Sequence, residues 1–456
     1  MTRGDNPQDH KAIVLTALEQ DSEALAEHLV EVRAADIAEL LEELVDQQDD
    51  MTGALVLLEN LPLIRRSHVY GHLPSWLQES LVDRLSDRAL LEILEEMSAD
   101  DRADLYNLLE IDRREALLRR MAHRKREELR RLASYEEGTA GAVMTSDYVA
   151  IPSGLTAAQA LMRVRQTAPD AETVYQLYVL DEHGHLAGTW SLRQLLIARP
   201  SAYIDDLMIK DVIRTQVDTP QEEVARLVAR YDLLAVPVVD EEERMVGIVT
   251  HDDVLDVVQA EATEDIHKGA SVGTLEKGVG RTSLWSLYRK RIVWLVLLVF
   301  GNLFSGAGIA YFEDIIAAQV ALVFFLPLLI DSGGNAGAQA STLTVRGLAT
   351  GDIAFKDWGK LLGRELLIAI ALGLTMALAV SPIGFLRGGE MLMLVVAMSM
   401  TVIVLIGSLV GLCLPFILDR LGWDPATASG PLVTTLIDSC GVLIYFSIAT
   451  LMLANL

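Results

Sequence analysis

Cysteine is nearly absent: two occur in 456 residues, Cys413 and Cys440, both inside apolar segments. That excludes a disulfide framework or a cysteine metal site and leaves the thiols as packing residues. A basic excess is also missing. The formal charge is −26, and all of it falls within residues 1–280, because residues 281–456 are neutral in sum. An acidic block of this size repels phosphates, which excludes nucleic acid as a partner, and it attracts metal cations. The opening residues, Met1-Thr-Arg-Gly-Asp-Asn-Pro7, have no apolar core, so no cleaved signal peptide is expected and the first 280 residues are expected in the cytoplasm. No nucleophile–base pair, phosphate-binding glycine loop or catalytic metal cluster stands out, so an enzyme is not expected.

The end of the chain lacks charge. Asp438 is the only charged residue after Pro425, in an apolar run long enough to cross a bilayer. A carboxylate at the centre of such a helix costs roughly 2.5–3.5 kcal/mol to insert, and acids of this kind usually face a bundle interior or a wet path. Asp438 is therefore a cation-site candidate.

Four regions follow from the pattern. Residues 1–137 carry Leu and Ala at spacings of three and four, as in Leu90-Leu91-Glu-Ile-Leu94, and read as an all-α superhelical domain. The basic stretch Arg113–Arg131 reads as a solvated helix face pairing with nearby acids. Residues 138–258 alternate short β-branched runs with helices, in two copies (about 138–204 and 205–258). Tyr178-Val-Leu-Asp181 and Pro237-Val-Val-Asp240 correspond, as do Leu186-Ala-Gly-Thr-Trp-Ser-Leu192 and Met245-Val-Gly-Ile-Val-Thr-His251. Leu192 and Asp252 are expected to begin the helices that follow. Residues 252–288 form an acidic connecting helix with a glycine link; at 100° per residue Asp253, Asp256, Glu261 and Glu264 fall within an arc of about 140°.

Residues 289–456 read as a transmembrane domain of five helices, about 292–311, 315–344, 361–386, 391–418 and 431–456. Arg289–Arg291, Arg346, Lys356, Lys360, Arg364 and Arg420 gather on one side, and Arg387 opposes Glu313, Asp314 and Glu390 on the other. The positive-inside rule then puts the N-terminus in the cytoplasm and the C-terminus outside. The second span contains Asp331-Ser-Gly-Gly-Asn335-Ala-Gly-Ala-Gln339, too polar and glycine-rich to face lipid. By rise per residue, Asn335 and Gln339 are expected at the depth of Asp438 on an antiparallel helix, so that one site uses both.

The repeated unit resembles a pair of CBS domains, modules that often bind adenine nucleotides. Gly247-Ile-Val-Thr250-His-Asp-Asp253 matches their ribose-binding pattern, whereas the first copy, Gly188-Thr-Trp-Ser191-Leu-Arg-Gln194, lacks the final Asp. Glu137-Gly-Thr-Ala-Gly-Ala-Val-Met144, Gly333-Gly-Asn-Ala-Gly337 with Gln339, and Ala428-Ser-Gly-Pro-Leu-Val-Thr-Thr435-Leu-Ile-Asp438 resemble signatures of the MgtE magnesium channel family. The likeness spans the whole chain. It implies a homodimeric, Mg²⁺-selective channel in the lipid of the cytoplasmic membrane that closes when internal Mg²⁺ is plentiful. It also implies Asp438 as pore aspartate and Ser429, Thr434, Thr435 and Asn335 as lining residues. Asp331 departs from the expected small residue and is a candidate second pore acid; Glu313 is a candidate at the outer mouth. The implied sensor carboxylates are Asp253, Asp256, Glu261, Glu264, Glu222 and Asp232, with Asp100, Asp101 and Asp104 as N-domain partners. ATP is the implied nucleotide, with Thr250 and Asp253 as its candidate contacts. A cation-coupled carrier with a CBS regulatory module, and a sensor whose spans only anchor it, are the alternatives.

Overall fold

The structure is a computed structural model and describes residues 29, 32–48, 50–275 and 278–453. It divides into two compact units, Met1–Val258 and Gln259–Leu456.

The first unit opens with short helices, from Ala34–Gln48 to His123–Leu132, joined by two to four residues. Their starts are written locally. Asp50 accepts the Gly53 N–H at 2.8 Å and Ser86 that of Ala89 at 3.2 Å, each satisfying a first-turn donor. Pro62 and Pro74 sit extended just ahead of Leu63–Gly71 and Ser75–Val82, where a missing N–H does no harm. Helices pack on the next but one: Ala34–Gln48 against Leu63–Gly71, and that helix against Asp87–Glu96. Ile37, Leu41, Leu57, Tyr70, Leu77, Leu90, Ile93 and Leu94 are sealed between them. The basic stretch is partly structural, since Arg113 donates to the carbonyls of Val82 and Leu85 as well as pairing with Asp87 at 2.9 Å. Side chains here close helix ends that would otherwise leave carbonyls unpaired.

Two three-stranded sheets follow, β1 (Tyr148–Pro152), β2 (Thr173–Leu180) and β3 (Leu186–Ser191), then β4 (Thr215–Gln216), β5 (Ala235–Val239) and β6 (Met245–Thr250). Each has one parallel and one antiparallel pair. The repeat is kept in detail: the β2–β3 register shifts at Val179/Leu180 and the β5–β6 register at Val238/Val239. The turn acids act alike as well. Asp181 accepts the N–H groups of His183 and His185, and Asp240 those of Glu242 and Arg244. Ser191 caps Leu192–Ile197 through a capping box with Gln194. In the second copy the helix starts at His251, one residue earlier than expected, and runs to Gly269.

Among the described residues of the second unit, four helices are long and apolar enough to cross a membrane. They are Leu284–Tyr311, Ala321–Thr350, Phe355–Arg420 and Gly430–Leu453. The third contains Trp358–Arg420, broken at Gly388 and Gly389. Gly389 has φ +72°, a left-handed conformation that only glycine adopts freely. The arms fold back antiparallel. A Cβ on Gly384 would lie 2.9 Å from the Met393 Cα and one on Gly373 3.0 Å from the Thr401 Cα, and further along the Ser408 hydroxyl donates to Glu365. The second span starts at Ala321 rather than 315, because Gln319 leaves helical geometry and a separate short helix, Glu313–Ala318, precedes it.

Glycine sets the tightest crossing. A Cβ on Gly407 would stand 2.3 Å from the Gly333 carbonyl oxygen and one on Gly411 2.0 Å from that of Gly337. Two G-x-x-x-G steps thus meet backbone to backbone. Leu284–Tyr311 runs parallel to Gly430–Leu453, since Gly301 meets Thr435, Ser305 meets Ser439 at 3.1 Å and Gly308 meets Val442 at one constant offset.

Candidate metal sites

In the first unit, helix Ala99–Leu108 carries three acids and one arginine. Arg102 is buried and spent: it donates to the carbonyls of Leu94 and Met97, both at 2.7 Å, and pairs with Glu128 at 3.5 Å. Asp100 and Asp104, four residues apart, share another face and have no such partner on their own helix. Burial and Asp101 raise the Asp100 carboxyl to about 6. Its Oδ1 is buried without a hydrogen-bond partner. Asp104 keeps an exposed surface, yet desolvation by the surrounding protein, then Asp100, Asp101 and Glu137, push it to about 7.

The same cluster draws in residues from the repeats. Asp253, in the first turn of His251–Gly269, is raised to about 8 by burial and then by Asp100, against the bond it accepts from the Thr250 hydroxyl. Glu172 is raised to about 7 by burial, then by Asp100, Asp252 and Asp147. The sequence does not mark Glu172 and Asp147 by any local pattern, and it marks Asp252 only as a helix start. Carboxylates that repel one another bind cations well, because a cation relieves the repulsion. Among the described residues no three carboxylate, histidine or cysteine side chains form a ready-made metal group. A cation held by one or two carboxylates, with water completing its shell, is the manner of Mg²⁺.

The other sensor candidates disperse. Glu222 lies in the first turn of helix Gln221–Tyr231 and Asp232 caps its far end with φ +50°, about 15 Å away by helical rise. Asp256 is exposed. Glu261 and Glu264 belong to the second unit, where Glu264 pairs with Lys268.

Thr250 and Asp253 sit where Ser191 and Gln194 form their capping box, so the ribose pattern also starts a helix. An open cavity of about 430 Å³ lies on the first copy, lined by Gln176, Ser191, Arg193, Gln194, Ile197 and Ile209.

In the membrane unit Asp331, Asn335 and Gln339 recur every four residues on an exposed stripe, with the glycines that pack against Gly407 and Gly411 on the other side. Asn335 donates to Asp331 at 3.1 Å. Asp438 is half-buried, and its charge lies within electrostatic reach of Asp331. The level differs from the expected one: Gly334 packs on Thr434 and Ala338 on Gly430, so Asp331, not Asn335 or Gln339, stands at the height of Asp438. A helix pair descending in opposite directions separates Gln339 from Asp438 by two turns.

Thr434 and Thr435 both donate to the Pro431 carbonyl, at 3.0 and 2.9 Å, while their methyls pack on Gly334 and Gly301. Ser429 is buried and bonds Ser271 at 2.6 Å. Glu313 is exposed and lies, by the parallel pairing of the first and last spans, about nine residues or roughly 13 Å beyond Asp438. Glu365, bonded by the buried Ser408, is a membrane acid the sequence reading passed over. The adjoining Arg364 made it look like part of a basic flank.

Three family signatures match the chain. "MgtE intracellular N domain" covers residues 32–138, "CBS domain" residues 140–201 and 204–260, and "Divalent cation transporter" residues 326–448. The chain is 42% identical over 441 residues to the magnesium transporter MgtE of Thermus thermophilus, covering 95% of this chain and 96% of that one. It is 36% identical over 387 residues to the MgtE of Bacillus subtilis, covering 85% of each. Among solved structures it is similar to the cytosolic domain of the Mg²⁺ channel MgtE in complex with ATP. That match has a TM-score of 0.51 at 42% identity, covering 54% of this chain and 99% of the other. The soluble part of a magnesium transporter matches with TM-score 0.52 at 28% identity, covering 56% of this chain and all of the other.

Proposed function

Because the chain belongs to the MgtE family and is a magnesium transporter rather than an enzyme, we propose that it passes hydrated Mg²⁺ along Asp438 and closes when cytoplasmic Mg²⁺ fills the acidic cluster around Asp100 and Asp253. The observation that carries the pathway is the half-buried Asp438 within electrostatic reach of Asp331, on the exposed Asp331–Asn335 stripe, in a bundle of membrane-length helices. Mg²⁺ gives up water reluctantly, so a path that passes it quickly grips the hydrated ion through carboxylate and carbonyl oxygens. The grip must admit the ion and still release it. In a homodimer two Asp438 side chains, one from each subunit, serve this end.

Counting the two arms around Gly388–Gly389 as separate crossings gives five spans. An odd number puts the termini on opposite sides, and the basic flanks set the N-terminus inside the cell. For closure, each ion bound only to the closed form at about ten times its dissociation constant contributes roughly 1.4 kcal/mol, and reversing a two-state equilibrium takes about 5.5 kcal/mol. Four weak sites suffice. Asp100, Asp104, Glu172 and Asp253 support the cluster in the first unit; Asp256, Glu261, Glu264, Glu222 and Asp232 extend it as the family resemblance implies. ATP is proposed at the second copy, with Thr250 and Asp253 as its candidate contacts, as the resemblance implies. The test is Mg²⁺ uptake by transport-deficient cells expressing the chain, with internal Mg²⁺ varied. Uptake should fall as internal Mg²⁺ rises and vanish in Asp438→Asn; undiminished uptake in that variant refutes the pathway.

A further inference from the structure

The segment after Glu264 is fastened to the approach of the Asp438 helix by contacts that need no metal. Lys268 lies between two carboxylates, pairing with Glu264 and, at 2.6 Å, with the Asp424 Oδ2. The other Asp424 oxygen accepts the Ala426 N–H at 2.8 Å and shapes the turn Pro425–Thr427. Three residues on, Ser271, at φ +55°, meets Ser429 in a buried hydroxyl pair. Gly273 donates to the Lys290 carbonyl at 3.1 Å, and the Lys290 ammonium returns a bond to Thr274. The turn is tied on its far side too, because the buried Ser341 hydroxyl donates to the Ala428 carbonyl at 2.7 Å. Gly430 then opens the helix that carries Asp438 two turns later.

We propose that Lys268–Asp424 and Ser271–Ser429 form a built-in clamp that, without bound metal, biases the pathway toward closure, and so sets how much Mg²⁺ is needed to complete it. This deepens the transport reading and rests on it. The chemistry is a tethered ammonium doing at one junction what a free cation does elsewhere. Burial works against the Lys268 charge, but its bonds to Asp424 and Glu264 outweigh that and hold the ammonium above its ordinary range. Burial and Asp424 hold Asp265 beside it above the usual carboxylate range.

The test uses the full chain in vesicles loaded with a Mg²⁺ indicator. Lys268→Met and Ser271→Ala should each raise flux at the lowest internal Mg²⁺ and raise the Mg²⁺ concentration for half-inhibition by about threefold to tenfold, the range expected for one partly buried ion pair or one hydrogen bond. Ser271→Cys with Ser429→Cys, in a chain with Cys413→Ala and Cys440→Ala, should stop flux on oxidation and recover it on reduction. Half-inhibition unchanged in both single variants, or lowered in Lys268→Met, overturns the clamp. A cross-linked protein that still conducts overturns it as well. The unmutated chain separates the two ideas: no Mg²⁺ flux there removes the transport reading, whereas normal, inhibitable flux with unaffected variants removes the clamp alone.

Discussion

Asp253→Asn should make the metal-free protein more stable and less responsive to Mg²⁺. Asp253 is raised to about 8, roughly four units above an ordinary aspartate. The folded state therefore keeps a proton that the unfolded chain has released, and stability falls as pH rises from about 4 until it levels off above about 8. Four units correspond to an upper limit of roughly 5 kcal/mol at high pH, and sharing with Asp100 and local water reduce this to about 1–3 kcal/mol. Asparagine keeps an oxygen for the Thr250 hydroxyl and removes the charge. For a unit of this size the melting temperature should rise by about 3–8 °C at pH 8.5 without Mg²⁺, with the advantage vanishing toward pH 4. Added Mg²⁺ should stabilise the unmutated chain and do less for the variant. The measurement is thermal unfolding of the purified chain across pH 4–8.5, with and without Mg²⁺. A metal-free melting point that is flat over that range, or equal in the two proteins at pH 8.5, refutes the reasoning.

Gly411→Ala should loosen the membrane bundle, because its Cβ would stand 2.0 Å from the Gly337 carbonyl oxygen and the helices must part; a cost of about 1–3 kcal/mol or more is expected. Gly306→Ala, where nothing lies within 4 Å of the added carbon, is the matched control, and melting in detergent compares the two. Arg102→Met should destabilise the first unit by about 2–4 kcal/mol, since it strands the carbonyls of Leu94 and Met97, and Arg102→Lys should not recover it because both bonds use one planar fork. Denaturant titration of the two variants checks this.

Periodic features were legible in the sequence, and features built by distant contacts were not. The 59-residue repeat announced paired sheets that agree down to the irregular register at Val179 and Val238. The run Gly333-Gly-Asn-Ala-Gly337 announced a close helix approach, and Gly407 and Gly411 supply its other half. Tertiary crowding has no such local mark. Glu172 sits before β2 in an ordinary polar stretch and becomes notable only because Asp100, Asp147 and Asp252 come near it from three other places in the chain. Helix depth counted from span ends also misled. The level is set by packing, Gly334 on Thr434 and Ala338 on Gly430, which brings Asp331 rather than Asn335 or Gln339 level with Asp438.

The crossing of Gly333–Gly337 with Gly407–Gly411 puts bare main chain against main chain, with no side chain between to change rotamer and absorb a displacement. Such a junction has no play. Sliding there would drive carbonyl oxygens into α-carbons, so any relative motion of these two helices must swing about this point as about a fulcrum. The helix Leu284–Tyr311 meets its neighbour through side chains instead, Thr435 and Val442 on Gly301 and Gly308 and Ser305 on Ser439, and so keeps the rotamer play that the glycine-locked pair lacks.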